Sequence, residues 1–142
     1  MTNNEELTLT EDDWEIERRD DGRILLFSPY KIVSGENFCL FLTVNDEEFY
    51  LTDDNYVAMT FSQRGWDIPE EVIDELNSWA SAKYKYARLT SSGEIIASSG
   101  SGNRWALLIA VNEARLLATL MRVKYYIRNR KDLCRTLLQD GL

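Results

Sequence analysis

Histidine is absent from this chain of 142 residues. That excludes Ser-His-Asp and Cys-His catalysis, histidine metal centres and imidazole proton transfer. Cysteine is nearly absent too. Cys39 and Cys134 are too few for a disulfide framework or a four-thiolate zinc site. Cys39 sits in an apolar run and reads as a small buried hydrophobe. Cys134 has basic neighbours but no histidine to act as its base. No apolar run reaches the roughly 18 residues of a membrane span. The start, Met1 to Glu6, has neither the basic nor the apolar stretch of a signal peptide, so a cytoplasmic protein with no membrane partner is expected. Gly93, Gly100 and Gly102 lack the spacing of a phosphate loop, and Ser98 to Ser101 contains no lysine.

What is present fits one globular domain. Hydrophobic residues make up 44% and charged residues 28%, ordinary values for a chain with a single core. The charge is unevenly spread. Residues 1–77 carry 20 acidic and 5 basic side chains, a net of −15. Residues 78–142 carry 4 acidic and 11 basic ones, a net of +7, and the two halves together give −8. Such asymmetry fits charge-directed binding, and it also fits two halves that attract each other.

The pattern predicts an α+β fold: a small antiparallel β-meander with packed helices and a C-terminal helical segment. Residues 1–22 read as an acidic N-terminal helical segment, with Thr10 as its cap and Glu11, Asp12 and Asp13 in its first turn. Residues 23–120 form the core. Strands are expected at Arg23–Phe27, Phe38–Val44, Glu48–Thr52 and Tyr56–Phe61, separated by short turns that favour antiparallel neighbours. The almost unbroken apolar run Phe38–Val44 suggests a strand covered on both faces. A helix is expected over Pro69–Ala82, where Val72, Ile73, Leu76, Trp79 and Ala80 fall at helical spacing. Two short strands follow, at Tyr84–Leu89 and Glu94–Ala97, and then a buried helix from Asn103. Residues 121–142 form a basic helix, either separate from the preceding one or its kinked continuation.

Three groups of residues carry candidate function. Thr52, Asp53, Asp54 and Asn55 form a turn motif, because Asp and Asn bond local backbone and Asn tolerates φ > 0. The same carboxylates, with Asp46, Glu47 and Glu48 across the hairpin, supply the oxygen type that a divalent cation needs. The turn is the favoured reading, and no metal or cofactor is expected. The acidic residues Glu11, Asp12, Asp13, Glu15, Glu17, Asp46, Glu47 and Glu48 are expected to face a basic partner surface, in the way DNA presents phosphates. Arg122, Lys124, Arg128, Arg130, Lys131 and Arg135 make a basic helix, with Tyr125 and Tyr126 placed to stack on bases.

Several of these segments carry a family likeness. Ser28-Pro29 after a strand, the apolar strand Phe38–Val44 and above all Tyr50-Leu51-Thr52-Asp53-Asp54-Asn55-Tyr56 are its core. Gly65, a short helix, the Gly93-Glu94-Ile95 strand start and a closing apolar helix complete it. From Phe27 to Leu120 the chain resembles a bacterial and phage-borne family of domains of unknown function, the one numbered eighteen twenty-eight. That family usually has Gly where Asn55 stands, and Asn is the next best residue for a left-handed turn. The resemblance implies a setting among accessory proteins of phages and mobile elements. It implies no activity.

The expected function is non-enzymatic: binding of another protein, such as a nucleic-acid-binding component of a bacterial defence system, which the chain inhibits or modulates. Two alternatives stay open. One is a metal-dependent hydrolase or nuclease built on clustered carboxylates. The other is a nucleic-acid-binding factor that uses the basic helix. A homodimer is open as well.

Overall fold

The computed structural model describes residues 14–31, 37–100 and 103–139, with side chains omitted for 131–137 and 139. The described residues form nine elements in chain order: β1 (Glu15–Arg18), β2 (Ile24–Lys31), β3 (Asn37–Asn45), β4 (Glu48–Thr52), α1 (Tyr56–Gln63), α2 (Glu70–Lys83), β5 (Ala87–Leu89), β6 (Ile95–Ser99) and α3 (Arg104–Gln139). The strands form one sheet in the order β1-β2-β3-β4-β6-β5, and every neighbouring pair is antiparallel. This is the expected α+β fold. The first four strands form a meander, and the helices pack on one side of the sheet.

Alternation explains the two layers. In β3, Phe38, Leu40 and Leu42 are fully buried, whereas Cys39, Phe41 and Thr43 are half-buried. Successive strand residues point to opposite faces, so the first set belongs to the helical side. Leu26, Phe49, Leu51, Ala97 and Ile95 join it from neighbouring strands. Helix α3 lies against β3 to β6, and α2 lies against β5. Phe61 of α1 stacks on Tyr125 of α3 with centroids 4.7 Å apart, and Trp66 closes the cluster at 5.7 Å from Phe61. Among the described residues no helix covers the other face. The expectation of a β3 covered on both sides is therefore corrected, because a continuous apolar run hid one fully buried face and one half-buried face.

Two further expectations need correction. Glu15–Arg18 is a strand, not part of a helix, and Ile16 pairs with Leu26. The alternation Trp14-Glu15-Ile16-Glu17 is the physical reason: Trp14 packs edge-on against Phe38 at 6.5 Å, and the two glutamates point the other way. Residues 10–13 of that segment lie outside the described residues. Tyr56–Phe61 is a helix, not a strand, since Val57, Ala58 and Phe61 bury one face at helical spacing. Of the two forms open for the C-terminal region, one continuous helix of 36 residues is found.

Gly93 shows how closely α1 and the β5–β6 turn approach each other. Its φ is +89°, and an added Cβ would lie 3.1 Å from the Ala58 Cβ. Gly93→Ala combines a left-handed backbone with this contact and is expected to cost about 1–3 kcal/mol. A urea titration checks this, and an unchanged midpoint would show that the turn relaxes freely.

Candidate functional site

The turn motif forms a bonded knot. Asp53 is 1% exposed. Its Oδ1 accepts from the backbone N–H of Asn55 at 2.9 Å and of Ile95 at 3.0 Å. Its Oδ2 accepts from Val57 N–H at 3.0 Å, in the first turn of α1. The Asp53 N–H in turn donates to the Ile95 carbonyl at 3.1 Å. One side chain thus ties the end of β4 to the start of α1 and the start of β6. Thr52 Oγ1 accepts from Asp54 N–H and donates to a Glu94 carboxylate oxygen. Asp54 and Asn55 adopt φ of 54° and 64°, the left-handed conformation expected of turn Asp and Asn.

Both Asp53 oxygens are therefore occupied by backbone donors. Burial pushes its carboxyl up to about 6, against the downward pull of those three N–H groups, and the Glu94 charge adds to the rise. Asp54 points the other way, to the surface, where it pairs with Arg23 at 2.9 Å. Asp46, at φ 52°, and Glu47 are exposed in the β3–β4 hairpin, and neither is brought to Asp53 by a hydrogen bond or ion pair. Among the described residues no three His, Cys, Asp or Glu side chains gather where they could hold a metal ion.

The uncovered sheet face brings other residues together. Strand register places Glu17, Leu25, Phe41, Thr52, Ile96 and Arg88 in one row across all six strands. Glu15, Phe27 and Cys39 form a shorter row on one side of it, and Thr43, Tyr50 and Ser98 a row on the other. Glu48, paired with Asn45, lies beyond Tyr50 on the same face. The Arg23 guanidinium sits 4.1 Å from the Phe41 ring centroid, and Arg19 lies 5.8 Å from it. Asp21 and Asp54 neutralise Arg23, and Glu17 lies 3.8 Å from Arg19. Glu15 and Glu48 are exposed. Burial, and then the charges of Glu94 and Asp54, raise the Tyr50 phenol. Burial likewise raises the Cys39 thiol. A recess of about 360 Å³ opens at one end of this face, lined by Thr43, Asn45, Glu48, Tyr50, Ser98 and Gly100 among others.

Of the acidic residues singled out in the sequence, Glu15, Glu17 and Glu48 share this face, and Asp46 and Glu47 border it in the hairpin. Glu11, Asp12 and Asp13 lie outside the described residues. The apolar partners Phe41, Tyr50 and Ile96 were missed. Their signal is the period-two alternation of β4 and β6, which sets Tyr50 and Ile96 opposite the buried Leu51 and Ile95.

Four of the basic residues, Lys124, Arg128, Lys131 and Arg135, follow one another at steps of four, three and four and so share one face of α3, whereas Arg122 and Arg130 lie off it. Arg122 donates to the Lys31 carbonyl at 3.0 Å, beside β2. Lys124 bonds Glu75 of α2 at 2.6 Å, on the opposite flank of the helix. Arg128 bonds Asn129, and Arg130 is exposed. The side chains of Lys131 and Arg135 are outside the described residues. Tyr125 is buried against Phe61 and Trp66 and is not free to stack on a base.

Glu113 is a second buried carboxylate that sequence reasoning missed. Its Oε1 accepts from Tyr86 N–H at 2.7 Å and Ala87 N–H at 3.1 Å, and its Oε2 accepts from Lys85 N–H at 2.8 Å. It pins the start of β5 to α3. Among the described residues no helix is long and apolar enough to cross a membrane. No family model, no curated protein and no solved structure matches the chain.

Proposed function

We propose that this chain is a non-enzymatic binding protein that engages a basic surface of another protein through the uncovered face of its sheet. One observation carries the reading: half-buried Phe41 and Ile96 and exposed Tyr50 share that face with Glu15, Glu17 and Glu48. A partly apolar centre with a charged margin is the common anatomy of a protein interface. Carboxylates at the margin select a basic partner and speed encounter with it. The buried carboxylates support the reading from another side. Asp53 and Glu113 spend both oxygens on backbone N–H groups, which is structural work.

The finer proposal is that the partner is a component of a bacterial defence system and that the chain is a phage or mobile-element protein acting in the cytoplasm. Its support is the resemblance carried by Tyr50–Tyr56 and the acidic charge of residues 1–77. A tagged chain incubated with bacterial lysate, with and without nuclease, tests the class of partner. A stoichiometric protein that survives nuclease is the expected result. Capture of nucleic acid alone, or of proteins that leave on nuclease treatment, would overturn it in favour of a nucleic-acid factor.

A further inference from the structure

The outer side of α3 is apolar where a solvated helix would be charged. Trp105, Ile109, Leu116, Val123, Tyr126 and Ile127 are between 39% and 69% exposed. Their spacing is regular. Trp105, Ile109, Asn112, Leu116, Thr119, Val123 and Tyr126 follow one another at alternating steps of four and three residues. Such a heptad stripe stays in line only along a partner helix that runs beside it. The helix is also longer than its own core needs. Its 36 residues reach about 54 Å. Among the described residues its buried face ends at Tyr125.

We propose that this stripe is the seam of a parallel homodimer, with α3 of a second copy seated along it. Two observations choose a second copy. The six exposed apolar side chains offer on the order of 600 Å² per copy, close to the roughly 800 Å² per partner of a stable interface. The two margins of the stripe also carry opposite charge. On one side stand Arg115, stacked 4.3 Å from the Tyr30 ring centroid, and Arg122, bonded to the Lys31 carbonyl. On the other side runs α2, joined to α3 close to the height of Arg122 by the Lys124–Glu75 pair, which neutralises Glu75 and leaves exposed Glu71 and Asp74 as the net charge of that turn. A two-fold axis along the paired helices swaps the margins, so each basic margin meets the acidic margin of the second copy. An axis across the helices would set arginine against arginine. In the parallel pair Asn112 meets its own counterpart, an arrangement that specifies register and a two-stranded state.

Sedimentation equilibrium of the full chain at tens of micromolar tests this. The expected mass is about twice 16.5 kDa. Leu116→Glu and Val123→Glu, both at exposed positions, should each weaken association by about a hundredfold while far-UV circular dichroism stays the same. Asn112→Cys, made in a chain carrying Cys134→Ser, should yield under mild oxidation a disulfide-linked dimer that the Cys134→Ser chain alone does not form. A monomer across the concentration range, or a dimer unmoved by both glutamate variants, overturns the seam. A dimer in which Asn112→Cys does not cross-link overturns the parallel register.

Discussion

Asp53→Ala is expected to lower stability by on the order of 4 kcal/mol, enough to shift the melting temperature by roughly 10–20 °C. Three backbone N–H groups, of Asn55, Val57 and Ile95, lose their acceptor at once. Each unsatisfied buried donor costs about 1–3 kcal/mol, and local relaxation lets water recover part of the total. The damage reaches three elements, because the same side chain starts α1 and docks β6 on β4. Asp53→Asn keeps one accepting oxygen and should lose about half as much. A urea titration of both variants checks the order. Asp53→Ala melting with the native chain would mean that the knot is dispensable.

The same site sets a pH dependence with a defined sign. The folded-state carboxyl titrates at about 6, above its ordinary value of 3.8. Its contribution is therefore complete below that ordinary value and is lost as pH rises through the folded value. The stability of the native chain relative to Asp53→Asn should fall as pH is raised across this window. A difference that grows with pH would show that the three N–H donors outweigh burial.

Glu113→Ala is expected to cost on the order of 3 kcal/mol for the parallel reason. Lys85, Tyr86 and Ala87 N–H groups lose their acceptor, and β5 loses its tie to α3. β5 is only three residues long and forms the edge of the sheet next to β6; at its far end Asn77 of α2 bonds the Leu89 N–H and carbonyl, so the loss falls on its start. Glu113→Gln should recover part of the loss, since its oxygen can keep Tyr86 and Ala87 while its amide nitrogen faces the Lys85 donor. Hydrogen exchange at residues 85–89 reads the effect directly. Protection at those amides unchanged in Glu113→Ala would contradict the tie.

The legible parts of the fold were those in which one signal dominated. The meander from β2 to β4 and the helix Glu70–Lys83 followed from short turns and from Pro69 ahead of a helical apolar pattern. The turn at Thr52–Asn55 was legible from its residue types. Competing signals hid the rest. At Trp14–Arg18, four alternating residues were outweighed by the acidic run before them. At Tyr56–Phe61, β-prone side chains concealed a helix whose start depends on Asp53, and the third of its acceptor bonds lies 42 residues away at Ile95. Glu113 offered no local signal, since its partners precede it by 26 to 28 residues. The uncovered face was only half legible. Its acids stood out as charge, but its apolar centre became visible only when strand pairing set Phe41, Thr52 and Ile96 in one row.

The affinity of the captured partner for the native chain and for Glu15→Lys/Glu17→Lys/Glu48→Lys tests the binding face most directly, measured at low and at physiological salt. These three side chains are exposed, and the ion pair of Glu17 with Arg19 is a surface contact worth little, so the melting temperature should hold. The expected result is a loss of at least about tenfold in affinity, larger at low salt, as charge-steered binding requires. Equal affinity of the two proteins at both salt concentrations would contradict the account and move the interface off this face.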